Sequence, residues 1–244
     1  MMNEKVIGIL GGMGPEATLD CFGKIIKNTP AQNDQDHLRV VIDSNPKVPD
    51  RTAAILGKGE SPTDIMVQGG RILEQAGADF IIIPCVSAHF FLKEVQSQIN
   101  LPILSIFDAV AETIEQDHPN LKKIGLMATS GTVSGRLFQK RLADSGIETV
   151  VPDDEAQARI MAAIYDIKNA QSTRSRADIT ADLISVAERL TTHETHKVQG
   201  IIAGCTEIPL ALSQEHLSIP YFDSPLLLAR AAIRRAAIEP IPLK

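Results

Sequence analysis

Two cysteines carry the chemistry that this sequence is equipped to do. Cys85 ends the apolar run Phe80-Ile-Ile-Ile-Pro84 and is followed by Val86, Ser87, Ala88 and His89. Cys205 ends Val198-Gln-Gly-Ile-Ile-Ala-Gly204 and is followed by Thr206 and Glu207. Each run reads as a buried strand. Each thiol then stands at a strand end beside a residue with a hydroxyl. They lie 205 − 85 = 120 residues apart, one in each half of the chain. A thiolate serves as nucleophile or base and a thiol as acid, and a following helix start would lower the thiol pKa. Two such sites suggest one cleft with a thiol on either wall. The third cysteine, Cys21, falls on the inner side of an amphipathic helix with Ala17 and Ile25, which assigns it to the core.

The elements that must position these thiols follow in order. Lys5 to Leu10 reads as a strand, and Gly11-Gly-Met-Gly-Pro-Glu-Ala-Thr18 as a turn into a helix reaching about Asn28, with Pro15 suited to the first helical turn. A strand over 38–43 precedes the loop 44–52, and Ser61-Pro-Thr-Asp64 opens a helix that stops at Gly77. A helix from about Ala88, a short strand over 102–106 and a helix over 108–117 complete the first half. The pattern then restarts with a strand to Ala128, the turn Thr129-Ser-Gly-Thr132, a helix to about Ser145 and a strand over 148–151. Helices over 154–168 and 174–192 lead to the Cys205 strand, and Ile219-Pro-Tyr-Phe-Asp223 leads to a C-terminal helix.

Strands alternating with helices imply α/β architecture with mainly parallel sheets flanked by helices. Such sheets bind ligands at the carboxyl ends of their strands, which is where both cysteines fall. The weak internal repeat predicts two similar lobes with the site between them. Residues 1–107 plus 209–244 form the first lobe, with the C-terminal helix packing back on it, and 108–208 the second.

Composition narrows the partners. The net charge of −6, with 24 Lys and Arg against 30 Asp and Glu, argues against a general nucleic-acid binder. Aromatic residues are 4% and Trp is absent, so base-stacking platforms are not expected. No apolar run approaches the roughly 20 residues of a membrane helix, and Met1-Met-Asn-Glu-Lys5 shows no leader pattern. Three cysteines without a metal-type spacing favour a reduced, cytosolic protein with catalytic rather than disulfide-bonded thiols. His193-Glu-Thr-His196 has its histidines at i, i+3 where a helix pattern ends, so it reads as polar surface rather than a zinc site.

Four stretches together resemble the aspartate/glutamate racemase superfamily, most closely its aspartate racemase branch. They are Gly8-Ile-Leu-Gly-Gly-Met-Gly-Pro-Glu-Ala-Thr18, Pro49-Asp-Arg-Thr52, Pro84-Cys-Val-Ser-Ala-His89 and Gly204-Cys-Thr-Glu-Ile-Pro209. They span nearly the whole chain in the family order, and the last is the most specific. The resemblance implies racemisation of an acidic amino acid without pyridoxal phosphate, metal or other cofactor, and a homodimer. One cysteine would remove the Cα proton while the other protonates the opposite face. It also implies that Met13 and Gly14 contact substrate through backbone groups. Arg51 and Lys168 would hold the distal carboxylate, and Ser87 and Thr206 would bond the α-carboxylate. Glu207 would hold the α-ammonium or tune Cys205, and Thr129 and Thr132 would face a carboxylate. Taken singly, Arg51 also reads as a solvated loop residue, Lys168 as an exposed helical lysine, Glu207 as a helix-start acid, and Thr129 and Thr132 as caps.

One departure stands out. The family usually shows Pro-Cys-Asn-Thr-Ala-His at the first thiol, and this chain has Val86 and Ser87 in place of Asn and Thr. The serine keeps a hydroxyl; the valine removes an amide, and a buried site built around it would lose about 1–3 kcal/mol per lost partner. Three other readings compete. Gly12-Met-Gly-Pro-Glu-Ala17 with Asp43 fits a dinucleotide turn but leaves the Cys205 stretch unexplained. A superfamily decarboxylase or isomerase acting on a related diacid is the second, and a non-catalytic acidic amino-acid binder the third.

Overall fold

The computed structural model describes residues 4–192 and 197–242, so the 193–196 polar segment lies outside the described residues. Two parallel sheets organise the chain. The first has the order β2-β1-β3, built from β1 (Ile7–Gly11), β2 (Val40–Ser44) and β3 (Phe80–Ile82). The second has the order β5-β4-β6-β7, from β4 (Lys123–Ala128), β5 (Glu148–Val150), β6 (Ile201–Gly204) and β7 (Tyr221–Asp223).

Side chains alternate across each strand and so feed two different cores. In β1 and β3, Ile7, Ile9, Phe80 and Ile82 face a central cluster, whereas Leu10 and Ile81 face an outer one. In β4 and β6, Ile124, Leu126 and Ile202 join the same central cluster, and Met127, Ile201 and Ala203 point to the far side. The central cluster is filled by α1 (Pro15–Asn28), α5 (Ile106–Asp117), α7 (Leu137–Asp144) and α10 (Ser224–Arg235). The outer layers are α3 (Thr63–Gln75) with α4 (Leu92–Gln96) on one side and α8 (Asp154–Lys168) with α9 (Arg176–Thr192) on the other. Both sheets are thus covered on both faces, as parallel sheets require, and they share one helical layer. Among the described residues no helix is long and apolar enough to cross a membrane.

The shared layer corrects the expected boundary at residue 209. Tyr221–Asp223 pairs with Ile201–Ala203, so β7 belongs to the second sheet, while α10 packs on α1 and α5 in the middle. Helix α5 also lies in that layer. Lys24 of α1 bridges Asp20, at 2.6 Å, and Asp223 at the end of β7, at 2.7 Å, joining the two halves by charge as well.

Several local expectations change. The loop 44–52 ends in a short helix, α2 (Arg51–Ile55), capped by Asp50, whose side chain accepts from the Ala53 N–H. The helix expected from Ala88 is a 3-10 turn, Ser87–Phe91, followed by one α-turn. The strand expected over 102–106 reduces to a single bridge between Ile81 and Ile103, because Ser105 already caps α5. The helix after Thr132 breaks at Arg136, with φ of 53°, into α6 (Ser130–Gly135) and α7. Gly131 and Gly135 weaken the helix there, and each faces the first lobe: a β-carbon on Gly131 would lie 3.0 Å from Thr52 Cα, and one on Gly135 3.0 Å from the Phe90 ring.

Candidate active site

The carboxyl ends of the two sheets face one cleft, of about 390 Å³ of empty space including its mouth. Cys85, Val86, Ser87 and Arg51 line it from the first lobe. Thr129, Thr132, Lys168, Cys205, Thr206 and Glu207 line it from the second. Ten of the twelve site residues expected from sequence therefore meet here. Met13 and Gly14 do not line the cleft. Met13 is buried in the outer core of the first lobe, and Gly14 is the N-cap of α1, where an added β-carbon would lie 3.4 Å from Glu207 Oε1. The Met13 side chain is turned into that core, whereas the sequence expectation concerned the backbone groups of this turn.

Each thiol is positioned differently. Cys205 directly follows β6, which is paired on both sides by β4 and β7. Its S–H donates to Glu207 Oε2 at 3.0 Å, and the Thr206 hydroxyl donates to the same oxygen at 3.3 Å. The other carboxylate oxygen, Oε1, has the Lys168 ammonium at 3.2 Å as charge partner, though no aligned hydrogen-bond donor. Glu207 is only 2% exposed, so this counter-charge is what makes its burial tolerable. Burial first, and then the Glu207 carboxylate, push the Cys205 thiol well above the ordinary cysteine range, against a lesser pull from Lys168. This corrects the expectation that a helix start would lower the pKa: a 3-10 turn, Ile208–Leu210, follows, and desolvation dominates. Burial works against the Lys168 ammonium as well, but Glu207 and the two thiols outweigh it and hold its pKa above the usual lysine value.

Cys85 stands three residues past the end of β3, on a tight turn closed by its N–H to the Ile83 carbonyl at 2.8 Å. Its sulfur lies 3.6 Å from the Ser87 hydroxyl. The carbonyl of Cys85 is met by His89 Nδ1 at 3.0 Å.

Arg51 is the first residue of α2 and is buried, which decides against a solvated loop arginine. One guanidinium nitrogen donates to the carbonyls of Val48, at 3.0 Å, and Pro49, at 2.8 Å, while Nε is buried without a partner among the described residues. The Thr129 hydroxyl caps α6 by accepting from the Thr132 N–H at 3.2 Å and lies 3.0 Å from the Thr132 hydroxyl. The threonines are thus caps and cleft residues at once. Asp50, Thr52, Met161, Ile164, Tyr165 and Gly204 also line the cleft and were not expected. Met161, Ile164 and Tyr165 precede Lys168 by seven, four and three residues, which is one helix face. That spacing was the signal available in the sequence.

Comparison with known proteins identifies the family. The Asp/Glu/hydantoin racemase family model matches residues 10–232. The chain is 31% identical over 234 residues to the broad-specificity amino-acid racemase RacX of Bacillus subtilis, covering 93% of this chain and 96% of that one. It superposes on the Picrophilus torridus aspartate racemase with a TM-score of 0.83 at 32% identity, over 97% and 96% of the two chains. An aspartate racemase homologue from Pyrococcus horikoshii gives 0.73 at 28% identity, over 96% and 99%. The chain belongs to the Asp/Glu/hydantoin racemase family and is an isomerase of the racemase type.

Proposed function

We propose that the protein interconverts the L and D forms of an acidic amino acid, aspartate foremost, by two-base proton transfer between Cys85 and Cys205 without a cofactor. The observation that carries this reading is that thiols from two different lobes line one small cleft together with two cationic side chains. Two-base racemisation needs an acid and a base on opposite faces of one carbon, with proton affinities close enough that each can take either role. In the resting enzyme Cys205 is the acid, since its S–H is held by Glu207. Cys85, whose sulfur lies 3.6 Å from the Ser87 hydroxyl, is then the base. After turnover the roles exchange, and the Lys168 ammonium offsets part of the charge that arises at Cys205 beside Glu207.

Arg51 and Lys168 hold the distal carboxylate in this reading, a planar guanidinium suiting it best. Ser87 and Thr206 bond the α-carboxylate, with Thr129 and Thr132 on the second wall. A broader substrate range is favoured by a specific set of contacts. Lys168 is already matched by Glu207, Val86 supplies no amide, and α8 presents Met161, Ile164 and Tyr165 to the cleft.

The test is to incubate the protein with each enantiomer of aspartate, glutamate and alanine, with no added cofactor, and follow both enantiomers by chiral chromatography. Convergence of aspartate on equal amounts of L and D is expected. Binding of acidic amino acids without interconversion would sink the catalytic reading and leave a binding protein.

A further inference from the structure

His89 is 4% exposed and lies outside the cleft, yet both of its ring nitrogens are engaged by backbone. Nε2 accepts from the Ile106 N–H at 3.2 Å, which fixes that nitrogen as unprotonated. Nδ1 must then carry the hydrogen, and it donates to the Cys85 carbonyl at 3.0 Å. The ring packs edge-on against Phe107, with centroids 5.5 Å apart. Burial lowers its pKa, which keeps it in this neutral form despite the opposing pull of the carbonyls around it. A neutral imidazole therefore ties the thiol-bearing turn of the first lobe to the first turn of α5, the helix that leaves that lobe for the shared layer.

The connection matters because Cys85 lacks what holds Cys205. No strand pairing reaches Cys85, since β3 ends at Ile82 and its next neighbour on that side is the single bridge at Ile103. Its own N–H is used in the turn to Ile83. Without His89 the Cys85 carbonyl would have no donor among the described residues, a penalty that a shift of the turn would relieve. Such a shift moves the sulfur as well.

We propose that His89 is a positioning residue for Cys85, holding the thiol at the distance and angle that proton transfer requires. This rests on the racemase reading of Cys85, and it adds a role for a side chain that touches no substrate. Displacements on the order of 1 Å cost about 100-fold in rate. The expectation is that His89→Phe, which keeps the ring against Phe107 and loses both hydrogen bonds, lowers kcat by about 10- to 100-fold while KM changes by less than about twofold. His89→Gln, whose amide can donate and accept, should recover most of the loss.

The second readout needs no substrate. The pH dependence of Cys85 alkylation by iodoacetamide, followed by peptide mass mapping, should change in His89→Phe and return toward the parent in His89→Gln, with Cys205 unaffected in both. If His89→Phe does not fold, the proposal rests on His89→Gln against His89→Ala by the same two measurements. Unchanged kcat in a folded variant that lacks both bonds would overturn it, and so would equal changes in alkylation of both thiols. Should the parent protein racemise nothing, the catalytic reading fails by that result alone, and the alkylation profiles still decide whether His89 sets Cys85.

Discussion

The wall bearing Cys205 and the wall bearing Cys85 hold their thiols by different means. Cys205 extends a strand paired on both sides and donates a hydrogen bond to a buried carboxylate that is itself matched by Lys168. Cys85 hangs on a turn beyond the sheet, held by a histidine from the following residues and faced by one hydroxyl. On the second wall, sheet geometry fixes position, and burial first and charge second favour the protonated thiol. On the first, a side-chain strut fixes position and the immediate electrostatic partner is weak. For the proposed two-thiol reaction, the difference teaches that a symmetric proton transfer can rest on asymmetric supports.

Removing either thiol should give the largest effect. Cys85→Ala and Cys205→Ala are each expected to lower the racemisation rate by at least about 10²–10⁴, the range for loss of a general acid or base, with circular dichroism and melting little changed. Near-normal turnover by either variant would break the comparison outright. Next comes Glu207→Gln, which acts on one wall only. Glu207 raises the Cys205 pKa, so its neutral replacement should bring that pKa down. Cys205 alkylation would then set in at lower pH. Lys168→Met has the opposite sign, because Lys168 lowers the Cys205 pKa, and it should delay alkylation to higher pH. If Glu207→Gln shifted both thiols alike, the two walls would not be electrically distinct. The smallest effect expected is on substrate choice: Arg51→Ala should raise KM for aspartate by about 10-fold or more, the worth of a charged hydrogen bond of 1.5–3 kcal/mol, and leave alanine nearly unchanged. An equal effect on alanine would deny Arg51 its role toward the distal carboxylate.

Much of this was legible in the sequence because parallel strands buried on both faces appear as continuous apolar runs. Phe80 to Ile83 and Ile201 to Ala203 were recognisable for that reason, and the cysteines at their ends marked the cleft. Helix-start chemistry was read less well. Asp50 followed by Arg-Thr-Ala53 is a cap signal for α2, but Pro49 and the polar residues around it made the segment look like loop. Met13 and Gly14 sit in a turn whose residue types suit ligand contact, and only the packing of α1 and the sheet shows that the Met13 side chain goes to the core. The elevated Cys205 pKa could not be read from residue order, since it depends on how deeply Glu207 is buried beside the sulfur. Nor could the strut from His89 to Cys85 and Ile106, because it closes across 17 residues in a segment that sequence places as ordinary helix.

The two-thiol account is tested most directly by where solvent deuterium goes in the first few percent of reaction. L-aspartate is incubated with the protein in deuterated water, and both enantiomers are then separated and weighed by mass spectrometry. The account has one thiol removing the proton and the other, already exchanged with solvent, delivering deuterium to the opposite face. The newly formed D-aspartate should therefore carry deuterium at Cα while the remaining L-aspartate keeps its original hydrogen. Equal deuterium in both enantiomers from the start would mean that a single group or bulk water serves both faces, and would contradict the opposed roles of Cys85 and Cys205.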